Sequence, residues 1–332
     1  MSEAYTIFFT NKCNLRCHYC YEKNCERNAD ISYSTLEAVL DFMQERNNSN
    51  EEPITVTIHG GEPLLEYKKI IWFIRQCRAK FQKPVIYSMT SNFTRVNDEI
   101  IQEIFPELFR IYVSVDGCAV AHDRNRVDSA GNGTYKMVKK NIQRVLTVRP
   151  DLTARMTIAK NTMGLLGESL DSMLNLGLKE ISVELNINDS WNYEDLLEIQ
   201  NKFRIINKKI KNSTGVCMPQ LERKTHRVAK GCCTGGVHNF TINPNGDVFP
   251  CILAAGSNRY RIGNVYKGTS IRNLSTRYYV AGLDGCRGCS HEKICDAGRC
   301  KIINEIKTGA TDTKWNYFCA KEHFESLISN CS

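Results

Sequence analysis

The sequence predicts an α/β fold: a partial (β/α)6 TIM barrel over residues 1–212, followed by a small cysteine-rich domain over residues 213–332. Three observations predict it. Short β-branched and aromatic runs alternate six times with helical patterns, which implies a parallel sheet with right-handed crossovers. The polar motifs fall at the C-terminal ends of those runs, where barrels place their sites. Past residue 213 the long helical patterns give way to Gly, Asn and Cys, and ten of the sixteen cysteines lie beyond residue 216.

Strands are expected at 5–9 (YTIFF), 54–58 (ITVTI), 85–89 (VIYSM), 111–115 (IYVSV), 153–158 (TARMTI) and 180–185 (EISVEL). Helices are expected around 34–46, 66–82, 98–105, 134–148, 163–176 and 191–211, with Ser34 and Glu37 forming a capping box at the first. A chain of 332 residues with 42% hydrophobic content supports a sizeable core. No window approaches about 18 uninterrupted apolar residues, and the N-terminus lacks a secretory pattern. The expectation is a cytoplasmic protein with no membrane partner. In such a chain, clustered cysteines point to metal or redox chemistry rather than disulfides.

Just past the first strand, Cys13, Cys17 and Cys20 make the spacing C-x3-C-x2-C in NKCNLRCHYCYE. Three thiolates hold three corners of a four-iron cluster and leave one iron open to a small-molecule ligand. A zinc knuckle would need a fourth ligand nearby, and Cys25 is the only neighbouring cysteine. The spacing, with the aromatic Tyr19 between the second and third cysteines, resembles the signature of the radical S-adenosylmethionine (SAM) enzymes. In that family a reduced 4Fe-4S cluster cleaves SAM to a 5'-deoxyadenosyl radical, which abstracts hydrogen from an unactivated carbon.

Further motifs extend the resemblance. Gly60-Gly61-Glu62-Pro63 after the second strand resembles the family's GGEP element, whose backbone contacts the SAM amino group; paired glycines permit such an approach. Asn92 closes the third strand, where the family often has Thr-Asn-Gly, and offers hydrogen bonds to a ligand or to its own turn. Ser114-Val115-Asp116-Gly117 and then His122-Asp123-Arg124-Asn125-Arg126 resemble the S-x-D-G and H-D-x-x-R run of peptide-modifying members. There Ser114 and Asp116 would lie near ribose and substrate, and Asp116 is the candidate catalytic group. Arg155 in the fifth strand resembles the arginine that clamps the SAM carboxylate, a task suited to guanidinium geometry. Glu184 is a further candidate for polar contacts.

The second domain places Cys233 before the hairpin HNFTINPNGDVFPC, which ends at Cys251. Cys286, Cys289, Cys295 and Cys300 follow at C-x2-C-x5-C-x4-C, then Cys319 in an apparent helix. This resembles the SPASM domain, with x4 before Cys300 where x3 is usual. The resemblance implies one auxiliary 4Fe-4S cluster on Cys286, Cys289, Cys295 and Cys319. It implies another on Cys233, Cys251 and Cys300 with Cys217 or Cys232 as fourth ligand. Adjacent cysteines reach one cluster only with strain, which favours Cys217. Structural zinc is the competing use of such cysteines.

Read this way the protein needs SAM, three 4Fe-4S clusters, a flavodoxin- or ferredoxin-type electron donor and a ribosomal precursor peptide as substrate. Its formal charge of +8 is largely offset once the thiolates bind iron, so no nucleic-acid partner is expected. The expected activity is oxidative modification of the peptide, foremost cross-linking. The alternative is an anaerobic sulfatase maturase that makes formylglycine. In that subfamily an Asp base follows the cysteine at the end of the hairpin; here Ile252 stands there and cannot take a proton. A non-catalytic iron-sulfur electron carrier or redox sensor would need the cysteines but not GGEP, Asp116 or Arg155.

Overall fold

The computed structural model describes residues 3–22, 29–47, 52–210, 215–219, 233–269, 283, 286, 288–292 and 295–329. Six parallel strands, β1 (Ala4–Phe8), β2 (Ile54–His59), β3 (Val85–Ser91), β4 (Leu108–Ser114), β5 (Thr153–Ile158) and β6 (Glu180–Leu185), lie side by side in chain order. Between them run α1 (Tyr33–Asn47), α2 (Tyr67–Lys80), α3 (Asp98–Glu103), α4 (Ala119–Asn125), α5 (Tyr135–Leu146) and α6 (Leu166–Asn175), with α7 (Tyr193–Ile210) after β6. The mixed α/β architecture with a partial barrel is the one the alternating pattern implies. No described helix is long and apolar enough to cross a membrane.

Side-chain alternation assigns the two faces of the sheet. In β2, Ile54, Val56 and Ile58 are fully buried in the main core, while Thr55, Thr57 and His59 are only half-buried on the opposite face. The same alternation puts Arg155 and Thr157 of β5, and Ser182 and Glu184 of β6, on the inner face. The lumen is therefore polar and open, unlike the packed interior of a closed barrel.

Local differences from the sequence expectations have physical causes. Helix α1 is capped by Ser32, not Ser34: the Ser32 hydroxyl accepts from the Thr35 N–H at 3.0 Å and its carbonyl from Leu36, so the helix starts earlier than the expected capping box. Helix α3 stops before the Phe105–Glu107 turn, because Pro106 has no N–H to continue it. The short α4 lacks a two-turn apolar stripe, and the sequence pattern did not reveal it.

The second part is joined to the barrel through the sheet. Strand β7 (Asn239–Ile242) pairs in parallel with β1, in the register Ala4 with Asn239 to Ile7 with Ile242. Strand β8 (Asp247–Phe249) returns as the expected hairpin, with Gly246 at φ +83° in its turn. Then β9 (Gly263–Asn264) and β10 (Gly268–Thr269) bring the sheet to ten strands among the described residues, across the division expected near residue 213. Helices α8 (Asp296–Arg299), α9 (Lys301–Thr308) and α10 (Asn316–Ser329) follow. Helix α10 comes back to the barrel: Phe324 packs on Phe203 of α7 at 6.3 Å, and the Tyr317 hydroxyl donates to the Leu185 carbonyl at 3.2 Å.

Candidate active site

The loop after β1 carries Cys13, Cys17 and Cys20, all half-buried. Main-chain bonds fix it on both sides. Toward β2, Gly61 N–H donates to Thr10 O at 3.0 Å and Glu62 N–H to Lys12 O at 2.9 Å. Toward α4, Arg16 N–H donates to Val127 O at 2.7 Å and His18 N–H to Asn125 O at 2.9 Å. The glycine pair is needed for the first contact: a Cβ on Gly60 would stand 2.6 Å from Thr10 O, and one on Gly61 would overlap Lys12 O. Their close approach is thus to the cysteine loop itself, where the sequence suggested an approach to ligand.

Glu62 faces inward rather than toward the lumen. It is 1% exposed; Oε1 accepts from Leu64 N–H at 3.1 Å and Ser91 Oγ at 2.8 Å, and Oε2 from Asn92 N–H at 2.7 Å. Burial pushes its carboxyl up to about 7. Pro63 begins the short turn that Glu62 caps. Asn92 in turn donates through Nδ2 to Asn14 Oδ1 at 3.0 Å, with Cys13 Sγ at 4.0 Å, while its Oδ1 accepts from Thr94. Both residues brace the loop from the ends of β2 and β3.

Asp116 is equally committed. At 1% exposure it accepts from Arg126 Nε and Nη2, each at 2.9 Å, from the Tyr19 hydroxyl, and from Thr157 N–H at 3.0 Å. The Arg126 guanidinium also lies 5.3 Å from the centre of the Tyr19 ring. Burial works against the Arg126 cation, but the Asp116 carboxylate more than offsets it and raises its pKa. With its oxygens occupied, Asp116 has the geometry of a positioning residue that ties the Cys17–Cys20 turn to β4 and β5, not of a proton-transfer group. The motif around it is structural too: Asp123 Oδ1 accepts from Tyr135 N–H at 2.7 Å at the start of α5, and a Cβ on Gly117 would collide with Ser169.

Arg155 is exposed and faces the lumen. Its charge bears on His59 of β2, Tyr21 of the cysteine loop and Tyr317 of α10, residues that meet only across the barrel interior. Ser114 is its register neighbour on β4. The charge of Glu184 bears on Tyr317 and Lys321 of α10, so the C-terminal helix closes this side of the lumen. The sequence reading missed His59, Tyr21 and Glu22. For His59 the inner-face position was the available signal, since it continues the Thr55, Thr57 alternation.

The thiols fit iron-sulfur chemistry. Burial pushes Cys13 up to about 12, and the charges of Glu62, Cys17 and Cys20 push the same way; a cationic iron centre relieves such a set. Among the described residues no three ligand groups converge at single-ion spacing, whereas a four-iron cube separates its thiolates more widely. The C-terminal thiols form two neighbourhoods. Burial, then Cys251 and Cys233, raise Cys300 to about 12. Cys286 is raised by burial and by Cys319 and Cys289, against the lowering by Lys314; Cys295 is raised to about 11 by burial with Cys319 contributing. Cys217 instead adds its backbone to the edge of β6, accepting from Ile181 N–H at 3.0 Å. Cys25, Cys232 and Cys331 lie outside the described residues.

The Radical SAM superfamily model matches residues 7–177. The chain belongs to the radical SAM superfamily. Over its whole length this radical SAM protein is similar to the cysteine-type anaerobic sulfatase-maturating enzyme of Clostridium novyi, at 24% identity covering 96% of this chain and 93% of the relative. Its fold is similar to that of anSMEcpe solved with bound AdoMet, with a TM-score of 0.80 and 18% identity over 98% and 96% of the two chains. It is also similar to Streptococcus suis SuiB bound to precursor peptide SuiA, with a TM-score of 0.70 and 15% identity over 96% and 76%. The family carries a 4Fe-4S cluster and SAM, and this chain has the fold of a radical SAM maturase.

Proposed function

We propose that this radical SAM enzyme oxidises a ribosomally made precursor peptide, foremost by closing a cross-link, and that its C-terminal thiols hold two auxiliary 4Fe-4S clusters. The observation that carries the reading is the division of those thiols into the neighbourhoods Cys233–Cys251–Cys300 and Cys286–Cys289–Cys295–Cys319. Cys319 sits on α10, the helix that also closes the lumen, so electron acceptors would stand beside the substrate space.

When bound, the cluster and SAM supply hydrogen abstraction from an unactivated carbon. The chain's own residues do the rest. Cys13, Cys17 and Cys20 hold the SAM-binding cluster. Arg155 takes the SAM carboxylate, with Ser114 beside it. Asn92 and Glu62 keep the loop in register from β2 and β3. A flavodoxin- or ferredoxin-type protein delivers the first electron.

Co-expression with short peptides encoded beside the gene, followed by mass spectrometry, tests the function. A cross-link appears as a loss of two hydrogens, about 2 Da, with fragmentation suppressed inside the ring. Reconstitution should give about 12 iron per chain, and about 8 after joint replacement of Cys13, Cys17 and Cys20 by Ala. Zinc in the C-terminal half, or SAM cleavage by that triple variant, overturns the assignment.

Formylglycine formation is the second reading, supported by the full-length similarity to a cysteine-type sulfatase-maturating enzyme. Conversion of a sulfatase cysteine peptide to the aldehyde, with neighbouring peptides untouched, would put it first.

A further inference from the structure

We propose that His59, backed by Glu22, is the general base of this site: Nε2 of its imidazole takes the proton of the substrate's nucleophilic group as the adjacent carbon is oxidised. The inference rests on the peptide-oxidation reading and names the base that Ile252 cannot supply.

Geometry singles out His59. It ends β2 on the lumen side, one residue before the glycine pair, with its ring against Phe8 at 4.7 Å. Nε2 lies 3.4 Å from the Tyr21 hydroxyl, a loose contact that a substrate donor can replace. Nδ1 lies 3.7 Å from Glu22 Oε1, beyond hydrogen-bond length but within ion-pair range. A base oriented by a carboxylate on its far nitrogen is a recurrent acid-base arrangement. The side chain is 15% exposed, shielded from bulk water yet reachable from the lumen. The other acids near the cysteine loop are spent: Asp116 and Glu62 have both oxygens hydrogen-bonded.

Burial first, and then the Arg155 charge, lower His59 to about 4, so the ring stands neutral at pH 7, while the same lowering weakens it as a base until a charge partner offsets it. A carboxylate bound to Arg155 would cancel that repulsion and strengthen the base when SAM is in place. The imidazolium that forms faces the Glu22 carboxylate. The groups facing His59 are Tyr21 and Glu22 from the loop, Phe8 from β1 and Arg155 across the lumen.

The step balances. The substrate carbon loses a hydrogen atom to the SAM-derived radical and an electron to an auxiliary iron-sulfur centre, and its nucleophile loses a proton to His59. The carbon–hydrogen and nucleophile–hydrogen bonds break, and a bond between carbon and nucleophile forms.

The test uses reconstituted holoenzyme, dithionite, SAM and synthetic peptides bearing a single Cys, Ser or Thr. His59→Gln should keep its iron and form about 100-fold less oxidised peptide per 5'-deoxyadenosine released, without the parent's acid limb in the pH profile. Glu22→Gln should move that limb to lower pH, and it decides the matter if His59→Gln loses iron. Oxidised peptide from His59→Gln within about twofold of the parent, or a limb unmoved in Glu22→Gln, overturns His59 as the base while leaving the function intact. No oxidised peptide from the parent protein overturns both.

Discussion

Replacing Asp116 with Asn separates a positioning role from a chemical one. The substitution keeps the shape but removes the charge that holds Arg126, which is 7% exposed, and turns an N–H donor toward a guanidinium that cannot accept. Breaking one side of a buried ion pair costs about 3–5 kcal/mol, a large share of the about 5–15 kcal/mol that holds a typical domain together. Tyr19→Phe removes only the hydroxyl's bond to the carboxylate, worth about 1.5–3 kcal/mol. Asp116→Asn should therefore unfold at markedly lower denaturant in anaerobic circular dichroism and lose iron from the N-terminal cluster. Adding Arg126→Met should restore much of the loss, because the stranded cation is then gone. An Asp116→Asn variant with parental stability and iron content but no turnover would refute the positioning argument and return Asp116 to the chemistry.

Three further outcomes follow from the same geometry. Gly61→Ala puts a methyl group into the Lys12 carbonyl, so the cysteine loop must shift; iron content and SAM cleavage should both fall. Arg155→Ala should keep its clusters but bind SAM about 10- to 150-fold more weakly, read by equilibrium binding, because a charge-assisted bond is worth about 1.5–3 kcal/mol. Parental affinity would make Arg155 structural. His122 accepts Asp116 N–H at Nδ1 and pairs with the Thr134 hydroxyl through Nε2, so it fits as a neutral ring, and burial lowers its pKa from 6.5 to about 4. The stability it contributes is whole above about pH 6.5 and is lost as pH falls through about 4, up to about 3 kcal/mol. The urea midpoint should therefore fall less between pH 7 and pH 4.5 in His122→Gln than in the parent.

The sequence by itself determined the barrel strands, the C-x3-C-x2-C loop and the hairpin before Cys251, because each is local. Period-two alternation, cysteine spacing and a Pro-Asn-Gly turn act over a few residues and need no distant partner. Only the tertiary structure decided what the polar motif residues do. Glu62 and Asp116 read as ligand contacts in the linear chain, yet folding brings Asn92 and Arg126 to them and commits their oxygens to holding the cysteine loop. Arg155 and His59 are separated by two intervening strands in the sheet order, and only the curvature of the partial barrel lets the charge of one reach the other across the lumen. Burial then sets the electrostatics of His59: its desolvation depends on neighbours contributed by β1 and the loop together, and no single segment of the sequence contains that information.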